Sequence, residues 1–261
     1  MILSGKPVVQ ELEKQIRSKV IPSGKFVVVQ VGSDPVSNLY IDKKRQMAEV
    51  LGIDFEIRQL NQNITQPDLL SEIRKLNRDL TVRAILVQMP LPKHLDRLSV
   101  AAAIDVAKDV DGFHYILGDA TKPIPPTVMA ISDLLNYYNI SLRGKDILIV
   151  GRGFLVGRPL LRFFQDNKLK VSVLLARDKN YYSRVKMADV VISATGGGGR
   201  FVPDNFKDGA VVIDASTVNE NNIIKGDVRM TGSLDRIALA PVPGGIGPIT
   251  VCELFLNFIN L

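Results

Sequence analysis

Asp146-Ile-Leu-Ile-Val-Gly-Arg-Gly-Phe-Leu-Val-Gly157 is the stretch that decides the fold of the second half of this chain. Its apolar, β-branched start predicts a strand over 146–150, and the three glycines after it predict a tight turn. A helix is expected from Pro159. Strand, glycine turn and helix are the parts of a dinucleotide site. Glycine permits the turn, and the helix N-terminus offers unpaired N–H groups to a pyrophosphate. The spacing here is G-x-G-x-x-x-G, one residue longer than the usual fingerprint. A glycine turn that serves packing alone therefore stands as the alternative.

Working outward, strands predicted over 171–175, 190–194 and Val211–Asp214 extend the same parallel sheet. The first of these ends in Ala176-Arg-Asp-Lys179, where an NAD site would place a carboxylate on the ribose diol. Arg177 and Arg152 instead offer guanidinium groups suited to a 2′-phosphate, which favours NADP. Asp178 is the competing candidate, an acidic residue displaced by a few positions. The cofactor candidates are Gly151, Arg152, Gly153, Val156 and Gly157 of the turn, with Arg177, Thr195 and Thr217 beyond later strands.

The first half alternates in the same way. A β-branched run at 26–31, a helical pattern over 37–51 stopped by Gly52, a strand at 55–60, a helix at 69–76 and a strand at 84–87 argue for a parallel sheet covered on both faces. Prolines cluster in Lys122-Pro-Ile-Pro-Pro-Thr127, the expected interdomain linker. Tyr40 and Lys44 are four apart and share a helix face, either as a surface contact or as the lining of a cleft. Gln88 sits at the carboxyl end of a strand, where parallel sheets place binding groups, or is a satisfied amide in a turn. Asp109-Val-Asp-Gly-Phe113 reads as a turn with a solvent-facing aspartate, unless Asp111 accepts from a heterocycle carrying adjacent N–H donors.

Pro241-Val-Pro-Gly-Gly-Ile-Gly-Pro-Ile-Thr250 holds three prolines and three glycines, a composition expected in neither helix nor central strand. It is a stiff connector or a binding loop; in the second case Pro243, Gly244 and Gly245 are candidate substrate contacts. Thr250 is expected to cap a short apolar terminal helix that returns to pack on the first domain.

Composition restricts the class further. The apolar share of 46% and charged share of 23% are ordinary for a soluble globular chain of 261 residues. The 33 lysines and arginines are scattered without a basic run, and tryptophan is absent, so no nucleic-acid partner is expected. One cysteine, Cys252, excludes an internal disulfide, and with only two histidines no metal site is expected. No leader-like start or long apolar span is visible, so a cytoplasmic protein with no membrane partner is expected.

Five ordered segments resemble one family, the bifunctional methylenetetrahydrofolate dehydrogenase/cyclohydrolases. Ser37-Asn-Leu-Tyr-Ile-Asp-Lys-Lys44 is similar to its tyrosine-x-x-x-lysine helix, and Val87-Gln-Met-Pro-Leu-Pro92 to its VQLPLP strand end. Lys108-Asp-Val-Asp-Gly-Phe113 is identical to its KDVDGF turn. Gly151 to Pro159 resembles GRSxxVGxP, and Pro241 to Thr250 resembles PVPGGVGPMT. The resemblance covers essentially the whole chain. It implies a folate-binding catalytic domain at 1–120, joined by the helix at 250–261, and an NADP-binding Rossmann domain at 121–249, with the active-site cleft between them. It implies that Lys44 is the central catalytic group, that Gln88 tunes it, that Tyr40 packs beside the folate rings and that Asp111 holds the pterin. It implies NADP-linked oxidation of 5,10-methylenetetrahydrofolate, hydrolysis to 10-formyltetrahydrofolate, a place in one-carbon metabolism and purine biosynthesis, and a homodimer. Rivals are a shikimate-dehydrogenase-like NADP oxidoreductase and a non-catalytic nucleotide-binding module; retention of Lys44 argues against the latter. The chain departs from the family pattern at Pro125-Pro-Thr-Val128, which lacks a cysteine and a proline, at Ile116 in place of an asparagine, and at Gly153 in place of a serine.

Overall fold

A computed structural model describes residues 1–119, 123–220, 223–232 and 234–261. Lys122 of the expected linker lies outside them. Contacts divide the chain into two compact units, the first made of Lys14–Pro126 with Glu253–Leu261 and the second of Met1–Glu13 with Thr127–Cys252.

In chain order, α1 (Lys6–Arg17) precedes β1 (Lys25–Val31), α2 (Pro35–Leu51), β2 (Phe55–Leu60), α3 (Gln66–Arg78), β3 (Val82–Val87), α4 (Arg97–Ala103) and α5 (Phe113–Leu117). The first unit's sheet is parallel, in the order β2-β1-β3, as the alternation of patterns predicts. Its central strand is buried along almost its whole length, which explains the unbroken apolar run at 26–29. Helix α2 starts where it does because the Asp34 carboxylate accepts from Ser37 N at 2.8 Å, with Pro35 in the first turn, and it stops at Gly52.

The second unit continues with α6 (Pro126–Tyr137), β4 (Ile147–Val150), α7 (Gly157–Asp166), β5 (Val171–Leu174), α8 (Tyr181–Met187), β6 (Val190–Ser193), β7 (Val211–Asp214), the hairpin strands β8 (Val218–Glu220) and β9 (Ile223–Lys225), β10 (Ala238–Ala240) and α9 (Ile246–Asn260). Its five-stranded sheet is parallel throughout, in the order β10-β7-β6-β4-β5. Leu148, Val150, Val191, Val212 and Leu239 build its core with Phe201 and Phe206.

Three expectations are corrected. Residues 1–13 group with the second unit rather than with 14–120, because Leu3 N donates to Leu239 O at 2.7 Å and Leu239 N to Met1 O at 2.9 Å, extending the sheet beyond β10. Such pairing between distant segments leaves no local pattern. The terminal helix begins at Ile246, so Gly247 and Pro248 lie in its first turn, where a missing N–H costs nothing. Thr250 is consequently inside the helix, its hydroxyl donating to Ile246 O at 3.1 Å, and is not the cap. The last turns of α9 do pack in the first unit as expected. Phe255 and Phe258 meet Phe26 at ring-centroid distances of 5.6 and 5.5 Å, and Asn257 Nδ2 donates to Val110 O and Ile124 O at 3.1 Å each. Each fully buried phenylalanine of this kind stabilises by about 1.5–3 kcal/mol.

Candidate active site

Four of the expected side chains belong to the first unit. Tyr40 and Lys44 lie one turn apart on α2, both half-buried, and Lys43 Nζ stands 5.8 Å from the Tyr40 ring centroid. Gln88 follows β3 directly, its N–H held to Val29 O at 2.9 Å. Its side-chain carbonyl accepts from Lys44 Nζ at 2.9 Å while its amide nitrogen donates to Met89 O at 2.8 Å. The second bond fixes which end of the amide faces the lysine.

The turn over 108–113 is built by its own charged residues. Lys108 Nζ donates to Leu76 O at 2.9 Å, Asn77 O at 2.8 Å and Asp79 O at 2.7 Å, which ties the turn to the carboxyl end of α3. The Asp109 carboxylate accepts from Phe113 N at 3.0 Å and His114 N at 2.7 Å and so starts α5. Asp111 is left over. Among the described residues no donor bonds its carboxylate, and the charges that act on it are those of Lys44 and Asp109. Burial pushes its carboxyl up to about 6; the Lys44 ammonium opposes this, and Asp109 adds to it. Lys44 is pulled the other way, below its ordinary range, by burial first, with Asp111 opposing. Gln88 is a neutral partner, so it orients the amine without restoring the charge-stabilising field that a carboxylate would supply. The geometry therefore brings Lys44, Gln88 and Asp111 together, with Tyr40 one turn away, and offers an amine able to trade protons beside an acceptor with open capacity.

The nucleotide candidates belong to the second unit. Gly151 ends β4 at φ +100°, a value that excludes other residues, and a Cβ there would lie 2.5 Å from Ala194 O. Helix α7 opens at Gly157 with no side-chain cap from Val156, and nothing crowds the space above Gly153. An uncapped helix start behind an open glycine turn, flanked by the exposed Arg152 and Arg177, fits a pyrophosphate with a further phosphate. Asp178 is engaged elsewhere: its carboxylate accepts from Leu175 N at 2.7 Å within its own turn. Thr195 follows β6 and Thr217 follows β7, both half-buried. Pro243, Gly244 and Gly245 lie in the turn before α9, where Gly245 N donates to Pro241 O and Gly5 N to Gly244 O, each at 2.8 Å.

Sequence reasoning passed over Asp227, Asp214, Ser193 and Ser216, all buried behind the Thr195 loop. The available signal was Gly226-Asp227 downstream of the four-glycine run at 196–199. Among the described residues, no group of three or more histidines, cysteines or carboxylates can hold a metal ion, and no helix is long and apolar enough to cross a membrane.

Comparison with known proteins also finds two domains, though as two contiguous stretches. Residues 3–111 match the model of the tetrahydrofolate dehydrogenase/cyclohydrolase catalytic domain, and residues 125–261 match the NAD(P)-binding domain of the same family. The bifunctional protein FolD of Aquifex aeolicus is 39% identical over 271 residues, covering 98% of this chain and 93% of that protein. The crystal structure of the Campylobacter jejuni bifunctional FolD methylenetetrahydrofolate dehydrogenase/cyclohydrolase superposes with a TM-score of 0.87 at 33% identity, covering 100% and 97% of the two chains. The Trypanosoma brucei dehydrogenase-cyclohydrolase, solved with NADP cofactor and inhibitor, gives 0.85 at 27% identity over 99% and 95%. Shikimate 5-dehydrogenase of Thermus thermophilus, the type weighed as a rival, reaches 0.54 at 14% identity and shares the fold alone. With both domain models matched in order and relatives aligned along almost its full length, this chain belongs to the tetrahydrofolate dehydrogenase/cyclohydrolase family.

Proposed function

We propose that the protein oxidises 5,10-methylenetetrahydrofolate to 5,10-methenyltetrahydrofolate with NADP and then hydrolyses the product to 10-formyltetrahydrofolate. The observation that carries this reading is the Lys44–Gln88 pair at 2.9 Å beside Asp111, whose carboxylate no donor bonds among the described residues. Gly151, Arg152, Gly153, Val156, Gly157, Arg177, Thr195 and Thr217 hold NADP, which when bound supplies the acceptor for the hydride leaving the bridging methylene carbon. The pterin amino group and ring N–H donate to Asp111, Tyr40 packs on the ring system, and Pro243, Gly244 and Gly245 contact the folate. In the hydrolytic step Lys44, made easier to deprotonate by burial, accepts a proton from the water adding to the methenyl carbon. As the bond from that carbon to the ring nitrogen breaks, the proton passes from Lys44 to the nitrogen. Loss of the hydroxyl proton to solvent leaves the formyl group. Gln88 holds the amine so that its lone pair faces the water. The reading extends to a cytoplasmic homodimer serving one-carbon metabolism and purine biosynthesis, supported by family membership and the single, buried cysteine.

Growth of the methenyl-folate absorbance band, on mixing the protein with methylenetetrahydrofolate and NADP, tests the first step, and its decay tests the second. NAD should serve less well. Arg152→Ala or Arg177→Ala, whichever meets the 2′-phosphate, should weaken NADP about tenfold, the worth of one charge-assisted hydrogen bond. No absorbance change with either nucleotide would reject the assignment; equal kcat/KM for both would reject the NADP preference.

A further inference from the structure

A second glycine-rich segment, Thr195-Gly-Gly-Gly-Gly-Arg200, follows β6 one residue after Ala194, the residue whose carbonyl lies against Gly151. Consecutive amides in such loops form concave nests that hold anions. Here the nest is filled from within. The fully buried Asp227 carboxylate accepts from Ser193 Oγ at 2.5 Å, Thr195 N at 3.0 Å, and Gly197 N and Gly198 N at 3.2 Å each. Burial pushes this carboxyl up, but the converging donors outweigh burial and hold it below the usual carboxylate range. The segment around Asp227 is laced to the same loop, with Gly199 N on Gly226 O and Phe201 N on Asp227 O, both at 2.8 Å. Gly196 N donates to Ser216 Oγ at 3.0 Å. Behind lies Asp214, which accepts from Ser216 N at 3.1 Å and Val228 N at 2.8 Å; a Cβ on Gly226 would collide with its carboxylate. Every amide from Thr195 to Gly199 is thus committed inside the protein.

We propose that Asp227 is a positioning residue for the nucleotide, an internal anion that sets the 195–199 loop, holds Thr195 at the carboxyl edge of the sheet and withholds the loop amides from the phosphates. The pyrophosphate is then met by the Gly151–Gly157 turn and the start of α7, while the glycine loop, whose Thr195 hydroxyl accepts from Gly197 N at 3.1 Å, meets the nucleotide with its carbonyls. This inference rests on the reading of the second unit as an NADP site.

The test titrates NADP calorimetrically into the full chain and measures amide hydrogen exchange without nucleotide. Asp227→Ala should weaken NADP about tenfold or more and speed exchange at Gly197 and Gly198, as expected when a buried acceptor for several donors is removed. Formate should restore much of that affinity in a saturable manner, and the neutral formamide should not. Ser193→Ala removes one donor and keeps the carboxylate; it should weaken NADP roughly threefold and carries the test if Asp227→Ala fails to fold. Hydrolysis of methenyltetrahydrofolate without NADP should stay at the wild-type rate in both variants. Wild-type affinity in Asp227→Ala, or rescue by formamide equal to that by formate, overturns the inference alone. A wild-type chain that does not bind NADP overturns the cofactor reading and this inference with it.

Discussion

Each unit carries a pair of aspartates that feel each other's charge, and the two pairs are put to opposite uses. In the first, Asp109 starts α5 by accepting from two amides, while no donor among the described residues reaches Asp111. In the second, Asp227 accepts from backbone amides and from hydroxyls, and Asp214 from further amides. Asp111 and Asp214 are nevertheless both pushed up to about 6, chiefly by burial. They part in their surroundings: the Lys44 ammonium draws Asp111 down, whereas the Asp227 charge drives Asp214 up. An elevated carboxyl marks a ligand site only where acceptor capacity is left over. Asp111 has that capacity, and Asp214 has committed its own to the fold.

The strongest way to break this contrast is to remove Lys44. Lys44→Met should cost the hydrolytic step about 10²–10⁴-fold, the usual worth of a positioned acid–base group. Lys44→Arg should be nearly as damaging, because guanidinium does not give up its proton. The two variants should differ at Asp111. Methionine removes the charge that draws the carboxyl down, so the pH midpoint for folate binding should move above about 6, while arginine should leave it in place. Wild-type hydrolysis in either variant, or a midpoint that ignores the methionine, would sever the link between the two residues.

A smaller effect follows from Asp111→Asn, which replaces one acceptor oxygen by a donor facing the pterin N–H pair. The KM for methylenetetrahydrofolate should rise about tenfold or more, with NADP affinity unchanged. The wild-type KM should climb towards that of the variant as pH falls below about 6, because a protonated Asp111 accepts less well. A KM flat from pH 5 to 8 would count against it.

The smallest effect concerns stability. A carboxyl raised from 3.8 to about 6 in the folded protein contributes stability that is complete below 3.8 and lost as pH rises through 6. Asp111 and Asp214 should each therefore add to a fall in Tm, by a few degrees, between pH 4 and pH 7. Bound tetrahydrofolate, by donating to Asp111, should cancel that residue's share and leave the share of Asp214. Melting curves for the wild type and Asp111→Asn, with and without folate, separate the two; a folate effect on the slope that persists in Asp111→Asn would refute the assignment.

Much of this was legible in the sequence, for identifiable reasons. The strands announced themselves because buried parallel strands are apolar on both faces, as at 26–29 and 147–150. Lys44, Gln88 and Asp111 were found as separate motifs, but their mutual charge effects appear only once α2, β3 and the 108–113 turn are folded together. The start of α9 is hard to read from sequence because glycine and proline ordinarily break helices, although proline is harmless in a first turn. Asp227 had only the weak signal of its Gly-Asp step, because its donors Ser193 and Thr195 lie more than thirty residues earlier. A buried ion is announced by its partners, and these are far away in the chain.

The interleaving of the two units has a consequence for how the chain is made. Along the sequence the segments alternate: 1–13 serve the second unit, 14–126 the first, 127–252 the second and 253–261 the first. Proteins commonly fold domain by domain as they leave the ribosome. Here neither unit is one continuous stretch, so neither can finish in that way. Phe255 and Phe258, which complete the surroundings of Phe26, are synthesised long after it. Until then the β1 face stays open to solvent, a hydrophobic surface of the kind chaperones retain. A ribosome that stalls within α9 would therefore release two unfinished units together.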